Sequence, residues 1–298
     1  MKQSSLNVAG PKGPGNAMLR IPMAPLPRPG RNTTIAVVLI AICLLAAAGE
    51  AQFRRGGRQA RTATAADFDG AFHFCRAWFR SDFRGDGGNW SVDYPKADVN
   101  LSIRLGELTK IPVSHDPQGY PNHLIVRLTD DELYHCPFIM MTEVGSALFD
   151  DKEAARLKDY LLKGGFLWVD DFWGSYAWDF WVGQFRKVMP AAEYPIFDLP
   201  PDHPLFHTQF EVSKVPQIPN IGYFIGSGGG TSERGADSTT AHARGVADKN
   251  GRLMVLMTHN TDLGDSWERE GDDPRYFYAV GPNGYAFGIN VILYVLTH

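Results

Sequence analysis

The chain has 298 residues, 44% of them hydrophobic and 21% charged, which is the composition of an ordinary globular domain behind an atypical N-terminus. From Asp67 onward 20 Lys and Arg stand against 32 Asp and Glu, a balance of −12. That surface excludes nucleic acid as a partner, because phosphate contacts need a cationic face. The absence of any CxxC spacing likewise leaves redox and zinc-ribbon readings without support.

Residues 1–34 hold five basic residues, no acid and many Pro and Gly, and read as a basic disordered segment. The apolar run Ile35 to Ala48 follows, and residues 35–51 read as a signal peptide or membrane anchor. Fourteen residues suit a secretory h-region better than a full span of about 20 residues. Gly49-Glu50-Ala51 supplies small residues three apart for cleavage before Gln52. With the basic flank held inside, the chain beyond residue 51 faces the other side of the membrane. The expectation is an exported protein, periplasmic after cleavage or anchored through the N-terminal segment if that is retained. Residues 52–66, with four arginines among Gly, Ala and Thr, read as a flexible linker to an α/β domain over residues 67–298.

Within that domain, Ala71 to Phe79 reads as a first strand, with His73, Arg76 and Arg80 as its solvated or salt-bridged polar members. A Gly-rich turn and loop lead to a helix over Ala97 to Lys110, with Asp93 and Asp98 at its start and Asp98 expected to serve as cap or dipole partner. His123 to Arg127 and Pro137 to Met141 are short apolar runs suited to strands, the second ending at Glu143. Asp150 to Lys163 is the clearest helix, with acids in its first turn, Ala154, Leu157, Tyr160 and Leu161 on one face, and Gly164 as the stop. The unalternating run Phe166 to Val169 then fits a strand buried on both faces, so strand, helix and strand form a right-handed βαβ unit. That strand delivers Asp170 and Asp171 into a Phe-Trp-Gly turn. An aromatic-rich helix over Ser175 to Met189 follows, its stripe assigned to the core.

Residues 190–250 are rich in Pro and Gly and read as a loop-rich insertion or lid. Within it, Gly226 to Thr231 matches neither phosphate-binding pattern and reads as a flexible loop. Arg252 to Met257 is the last strand, running into His259, Asn260, Asp262 and Asp265, and Gly284 to His298 suits a packed terminal helix. Cys75 and Cys136 permit either one disulfide in an oxidising compartment or two buried thiols.

In a parallel sheet the strand ends bearing Glu143, Asp170 with Asp171, and His259 through Asp265 share one rim, where open α/β sheets place their ligands. Asp170, Asp171, His259 and Asp262 are the candidate catalytic set, as general acid and base or as ligands of a divalent cation. Glu143, Trp173, Glu233, Asn260 and Asp265 are candidate ligand-binding residues. Turn and cap chemistry accounts for the same residue types.

Four stretches carry a resemblance: Gly165-Phe166-Leu167-Trp168-Val169-Asp170-Asp171-Phe172-Trp173-Gly174, Cys136-Pro137-Phe138-Ile139-Met140-Met141-Thr142-Glu143, Tyr94-Pro95-Lys96-Ala97-Asp98-Val99-Asn100 and Met257-Thr258-His259-Asn260-Thr261-Asp262. Together they resemble the bacterial domain-of-unknown-function family DUF4159 over about residues 70–298. The resemblance implies a flavodoxin-like fold of the class I glutamine amidotransferase-like superfamily in exported or membrane-tethered proteins, with no established activity. Amidotransferases carry a cysteine at the elbow where this chain has Asp170-Asp171, so their chemistry is not carried over. Two functions follow. One is an envelope domain binding a saccharide or a protein partner; the other is an acid-based or metal-assisted hydrolase.

Overall fold

The computed structural model describes residues 62–298; the basic segment 1–34, the apolar segment 35–51 and residues 52–61 of the linker lie outside the described residues. Seven strands form one sheet. In chain order they are β1 (Phe74–Trp78), β3 (His123–Arg127), β4 (Phe138–Thr142), β6 (Phe166–Asp170), β7 (Phe197–Asp198), β8 (His242–Ala247) and β9 (Leu253–His259). A separate two-residue pair, β2 (Arg80–Ser81) with β5 (Ala147–Leu148), is antiparallel. The sheet order is β3-β1-β4-β6-β9-β8-β7, with the first five strands parallel and the last two antiparallel at one edge. Counting only the parallel strands by their place in the chain, the order is 2-1-3-4-5, that of a flavodoxin-like doubly wound sheet.

The strands read as unbroken apolar runs because both faces are covered. Cys75, Ala77, Ile139, Met141, Leu167 and Val169 point to one core, which takes Leu157 and Leu161 of helix α2 (Asp151–Leu162) and Trp181 and Phe185 of helix α3 (Gly174–Val188). Their neighbours Phe74, Phe138, Met140, Phe166 and Trp168 point to the other, packing on Leu101 and Leu105 of α1 (Lys96–Leu108) and on Phe287 and Val291 of α6 (Pro274–Thr297). Period-2 alternation is preserved, but both sets are apolar. The Asp150 carboxylate accepts from the Glu153 amide and Glu153 answers at the Asp150 amide, so a capping box starts α2 as its acidic first turn suggested. The βαβ unit β4-α2-β6 closes in parallel register, Phe138 opposite Phe166 and Thr142 opposite Asp170.

Three local expectations are corrected. The segment 190–250 is not simply a loop: it supplies β7, β8 and a short helix α4 (Ile221–Ser227), and β8 pairs along β9 from His242 opposite His259. A strand rich in His, Arg and Gly at the sheet edge has no apolar pattern to announce it. Of the Gly226–Thr231 stretch, Gly226 and Ser227 close α4 and Gly228, in the left-handed region at φ 73°, is its C-cap, with the remainder a loop. The terminal helix begins ten residues earlier than its apolar run, at Pro274, where the Asp273 side chain caps the amides of Arg275 and Tyr276. A further short helix, α5 (Leu263–Glu268), precedes it. Among the described residues α6 alone has the length and apolarity of a membrane span, yet 61% of its apolar window is buried. It is a core helix of this sheet.

Asp98 sits in the first turn of α1, the dipole position expected of it, and makes an ion pair as well. It is fully buried in α1 and forms a bidentate pair with the equally buried Arg76 of β1, whose Nε lies 3.1 Å from both carboxylate oxygens. Arg76 spends a further donor on the Val92 carbonyl at 3.0 Å. The pair thereby clamps β1 to the loop that approaches α1.

Candidate functional site

The carboxyl ends of β4, β6 and β9 lie side by side, and each is followed at once by a non-glycine residue in the left-handed region: Glu143 (φ 55°), Asp171 (φ 55°) and Asn260 (φ 61°). Asp93 (φ 62°), on the loop from β2, is a fourth. Such conformations are uncommon outside glycine and cost of order 1 kcal/mol or more each, so four at one rim mark a backbone held against its preference. The holding bonds are visible. The Glu143 amide donates to the Asp170 carbonyl, that of Asp171 to Thr261 and that of Asn260 to Phe172. Loop 82–93 is tied over the same rim by the Asp82 and Asp86 amides, which donate to Ser146 and Gly145.

This arrangement gathers acids. One carboxylate oxygen from each of Asp93, Asp171 and Asp262 lies within 4.8 Å of the other two, and Asp93, Asp265 and Glu268 form an overlapping group by the same measure. The four aspartates are buried and Glu268 is half-buried. Burial first, then the neighbouring Asp265, pushes the Asp93 carboxyl well up from its ordinary range. Asp171 is pushed up by burial and by Glu143 and Asp93, and Asp262 by burial and by Asp171 and Asp93. Among the described residues no ion pair reaches Asp93, Asp171 or Asp262, whereas the second group is partly offset by an arginine. Arg76 is committed to Asp98, and Arg269 to Asp265 at 3.1 Å and Glu268 at 2.8 Å.

The expected site residues divide. Asp171 and Asp262 join the cluster, each with one oxygen anchored: Asp171 Oδ1 accepts from Trp173 Nε1 at 3.0 Å and Asp262 Oδ1 from the Asp265 amide at 2.8 Å. Asp265 joins too, accepting from the Ile221 amide at 2.8 Å. Asp170 is a strut. Its Oδ1 accepts from Thr258 Oγ1 at 2.5 Å, and its Oδ2 accepts from the Leu263 and Gly264 amides at the start of α5. Burial nevertheless holds its carboxyl at about 7.

His259 stands apart from the acids. It ends β9 among the rings of Phe172, Trp178 and His242, with Nε2 3.0 Å from the Gly174 carbonyl and Nδ1 3.3 Å from Arg244 Nη1. Nε2 therefore donates and Nδ1 accepts, the neutral tautomer, in keeping with burial that pushes the imidazole down to about 4. Asn260 is likewise used internally, accepting from the Gly174 amide and donating to the Thr240 carbonyl. Trp173 is 5% exposed, so its face is not offered to a ligand. Glu233 accepts from the Asn220 amide at 2.5 Å. Glu143 is half-buried against Gly87 and Gly88, and burial, reinforced by Asp86 and Glu233, raises its carboxyl to about 7.

Sequence reasoning passed over Asp93 and Glu268 as site residues. Asp93 had one usable signal, its position between an aromatic loop and a helix start beside a second aspartate; Glu268 had none. Cavities of about 380 and 200 Å³ lie elsewhere, the first at the amino ends of β1 and β4 around Phe72, His73 and Pro137, the second between Leu199, Phe206 and Ala243. The acid cluster is thus not an opening into either of them.

Cys75 and Cys136 form a disulfide, so of the two alternatives for these residues the bond is the one realised. Among the described residues no thiol is free for nucleophilic attack, and the elbow after β6 is carboxylate. The domain of unknown function DUF4159 matches residues 80–296. The chain belongs to the DUF4159 family. The matched span runs from β2 to the end of α6 and takes in every member of the acid cluster, from Asp93 to Glu268. A comparison with curated proteins gives no match.

Proposed function

We propose that this DUF4159 protein acts outside the cytoplasm as a binding domain, periplasmic or tethered through its N-terminal segment, whose ligand carries positive charge and is held at the acid-lined rim. The observation that carries the reading is the convergence of Asp93, Asp171 and Asp262 in a buried group that no ion pair reaches among the described residues, Arg76 being held by Asp98 and Arg269 by the neighbouring Asp265 and Glu268. Buried charges of one sign destabilise a fold unless something of opposite sign joins them. Export is supported by the basic flank and apolar run at the N-terminus and by the Cys75–Cys136 bond, since disulfides persist in oxidising compartments. A cation suits the rim better than a saccharide, because Trp173 is buried with its Nε1 on Asp171 and Trp178 is covered by Arg244 at 4.2 Å.

The test is the stability of ligand-free protein. Asp171→Asn and Asp262→Asn keep the anchored Oδ1 of each residue, and Asn tolerates the left-handed backbone at 171. Each should raise the melting temperature by about 2–4 °C, the equivalent of about 1 kcal/mol in a domain of this size. A fall in both variants would show that the carboxylates support the fold and would overturn the reading.

A hydrolase keeps one supporting observation. Glu143, held at about 7 on the same rim, has the protonation behaviour of a general acid or base near neutral pH. Turnover of ester, amide or glycoside substrates abolished in Glu143→Gln would put this reading first.

A further inference from the structure

The donor set narrows the kind of cation. Every member of the two overlapping groups is a carboxylate, and His259, the imidazole expected at this rim, is spent on Gly174 and Arg244. Oxygen donors alone select hard divalent ions over zinc or copper. Oxygens within 4.8 Å of one another also fit around a single such ion, since calcium–oxygen distances of about 2.3–2.6 Å set opposite ligands about 5 Å apart. Acidic clusters arise without ions, but here a second observation points to one. Asp93 is 7% exposed, and its Oδ2 has no hydrogen-bond partner among the described residues. Leaving a buried carboxylate oxygen without a donor destabilises the fold. That oxygen lies over Gly264, where any Cβ would collide with it, so the missing side chain at 264 keeps its space open between the Asp262 and Asp265 carriers.

Resting on the reading of the rim as a cation site, we propose that Asp93, Asp171 and Asp262 bind one hard divalent cation of the Ca²⁺, Mn²⁺ or Mg²⁺ class, with Asp265 and Glu268, which also group with Asp93, close by. The three ligands come from the loops after β2, β6 and β9. The ion therefore ties together three loops that are distant in sequence, and its charge offsets the repulsion among them.

The experiment uses the full-length protein in mild detergent, stripped with EDTA, and reads calorimetric titration with CaCl₂, MnCl₂ and MgCl₂ alongside the melting temperature. One ion per chain should bind, and saturation about a hundredfold above Kd should raise the melting temperature by about 5–10 °C. Asp93→Asn, Asp171→Asn and Asp262→Asn should each weaken binding at least tenfold, while Glu211→Gln, at an exposed carboxylate, leaves it unchanged. Circular dichroism of each variant shows whether it is folded. The absence of both heat and melting shift for all three ions at millimolar concentration overturns the inference, as does undiminished binding in the folded Asp171 and Asp262 variants. If no divalent ion binds but the amide variants still stabilise the stripped protein, the rim reading stands and the divalent inference alone fails. If those variants are also destabilised, both fail.

Discussion

Cys75 lies within β1 and Cys136 two residues before β4, and their bond joins positions separated by 61 residues. β1 and β4 are neighbours in the sheet but share only the pair Arg76 with Met140. The covalent link therefore stands where ladder hydrogen bonds are few. In the chain-entropy treatment, closing a loop of this length removes about 14 cal/mol/K from the unfolded ensemble, or about 4 kcal/mol at 25 °C. Reduction should lower the unfolding free energy by that amount, measured by urea titration of tryptophan fluorescence with and without reductant. The probe is intrinsic, since Trp168, Trp181 and Trp267 are fully buried. Cys75→Ala with Cys136→Ala should match the reduced protein to within about 1 kcal/mol, the scale of the small packing change. Amide exchange should rise first along β1 and β4. Oxidised and reduced proteins equal in stability to within about 1 kcal/mol would refute the entropic argument, and two reactive thiols in the unreduced, unfolded chain beyond Cys43 would refute the bond.

The buried clamp gives a second prediction. Arg76→Met leaves the Asp98 charge uncompensated at 0% exposure and should cost about 3–5 kcal/mol in chemical unfolding, whereas Arg76→Met with Asp98→Leu should recover most of it; a cycle with no coupling would show that the two groups are independently solvated. His259 supplies a pH test. Its folded value is pushed from 6.5 to about 4, so its contribution is fully present above about pH 6.5 and is lost as the pH falls towards 4, by about 3 kcal/mol in all. His242, Arg244 and Asp237 face it, and the elevated carboxyls of Glu143 and Asp170 titrate with the opposite sign in the same range. The difference in unfolding free energy between wild type and His259→Gln cancels those groups. It should change across pH 6.5 to 4, and a constant difference would mean that His259 is not held neutral by the fold.

The sequence carried the parallel strands because burial on both faces leaves no room for polar residues, and Phe166 to Asp170 or Phe138 to Thr142 can hardly be anything else. It carried α2 through its capping acids and apolar stripe, and it carried the placement of Glu143, Asp171 and Asp262 just beyond strand ends. The edge strand β8 escaped, since His242-Ala243-Arg244-Gly245 has its partner only in β9, and propensity says little about a strand that tertiary pairing creates. The makeup of the site escaped for a related reason. His259 and Asp262 are three residues apart yet part company, because the last residue of a strand and the cap of the next helix point in different directions. Asp93, by contrast, reaches Asp171 and Asp262 only because loop 82–93 is hydrogen-bonded over the rim to Gly145 and Ser146. Local chemistry, written in neighbouring residues, fixed the elements and the edge at which charge would gather. Which carboxylates meet there is a property of through-space distance, and only the folded chain sets it.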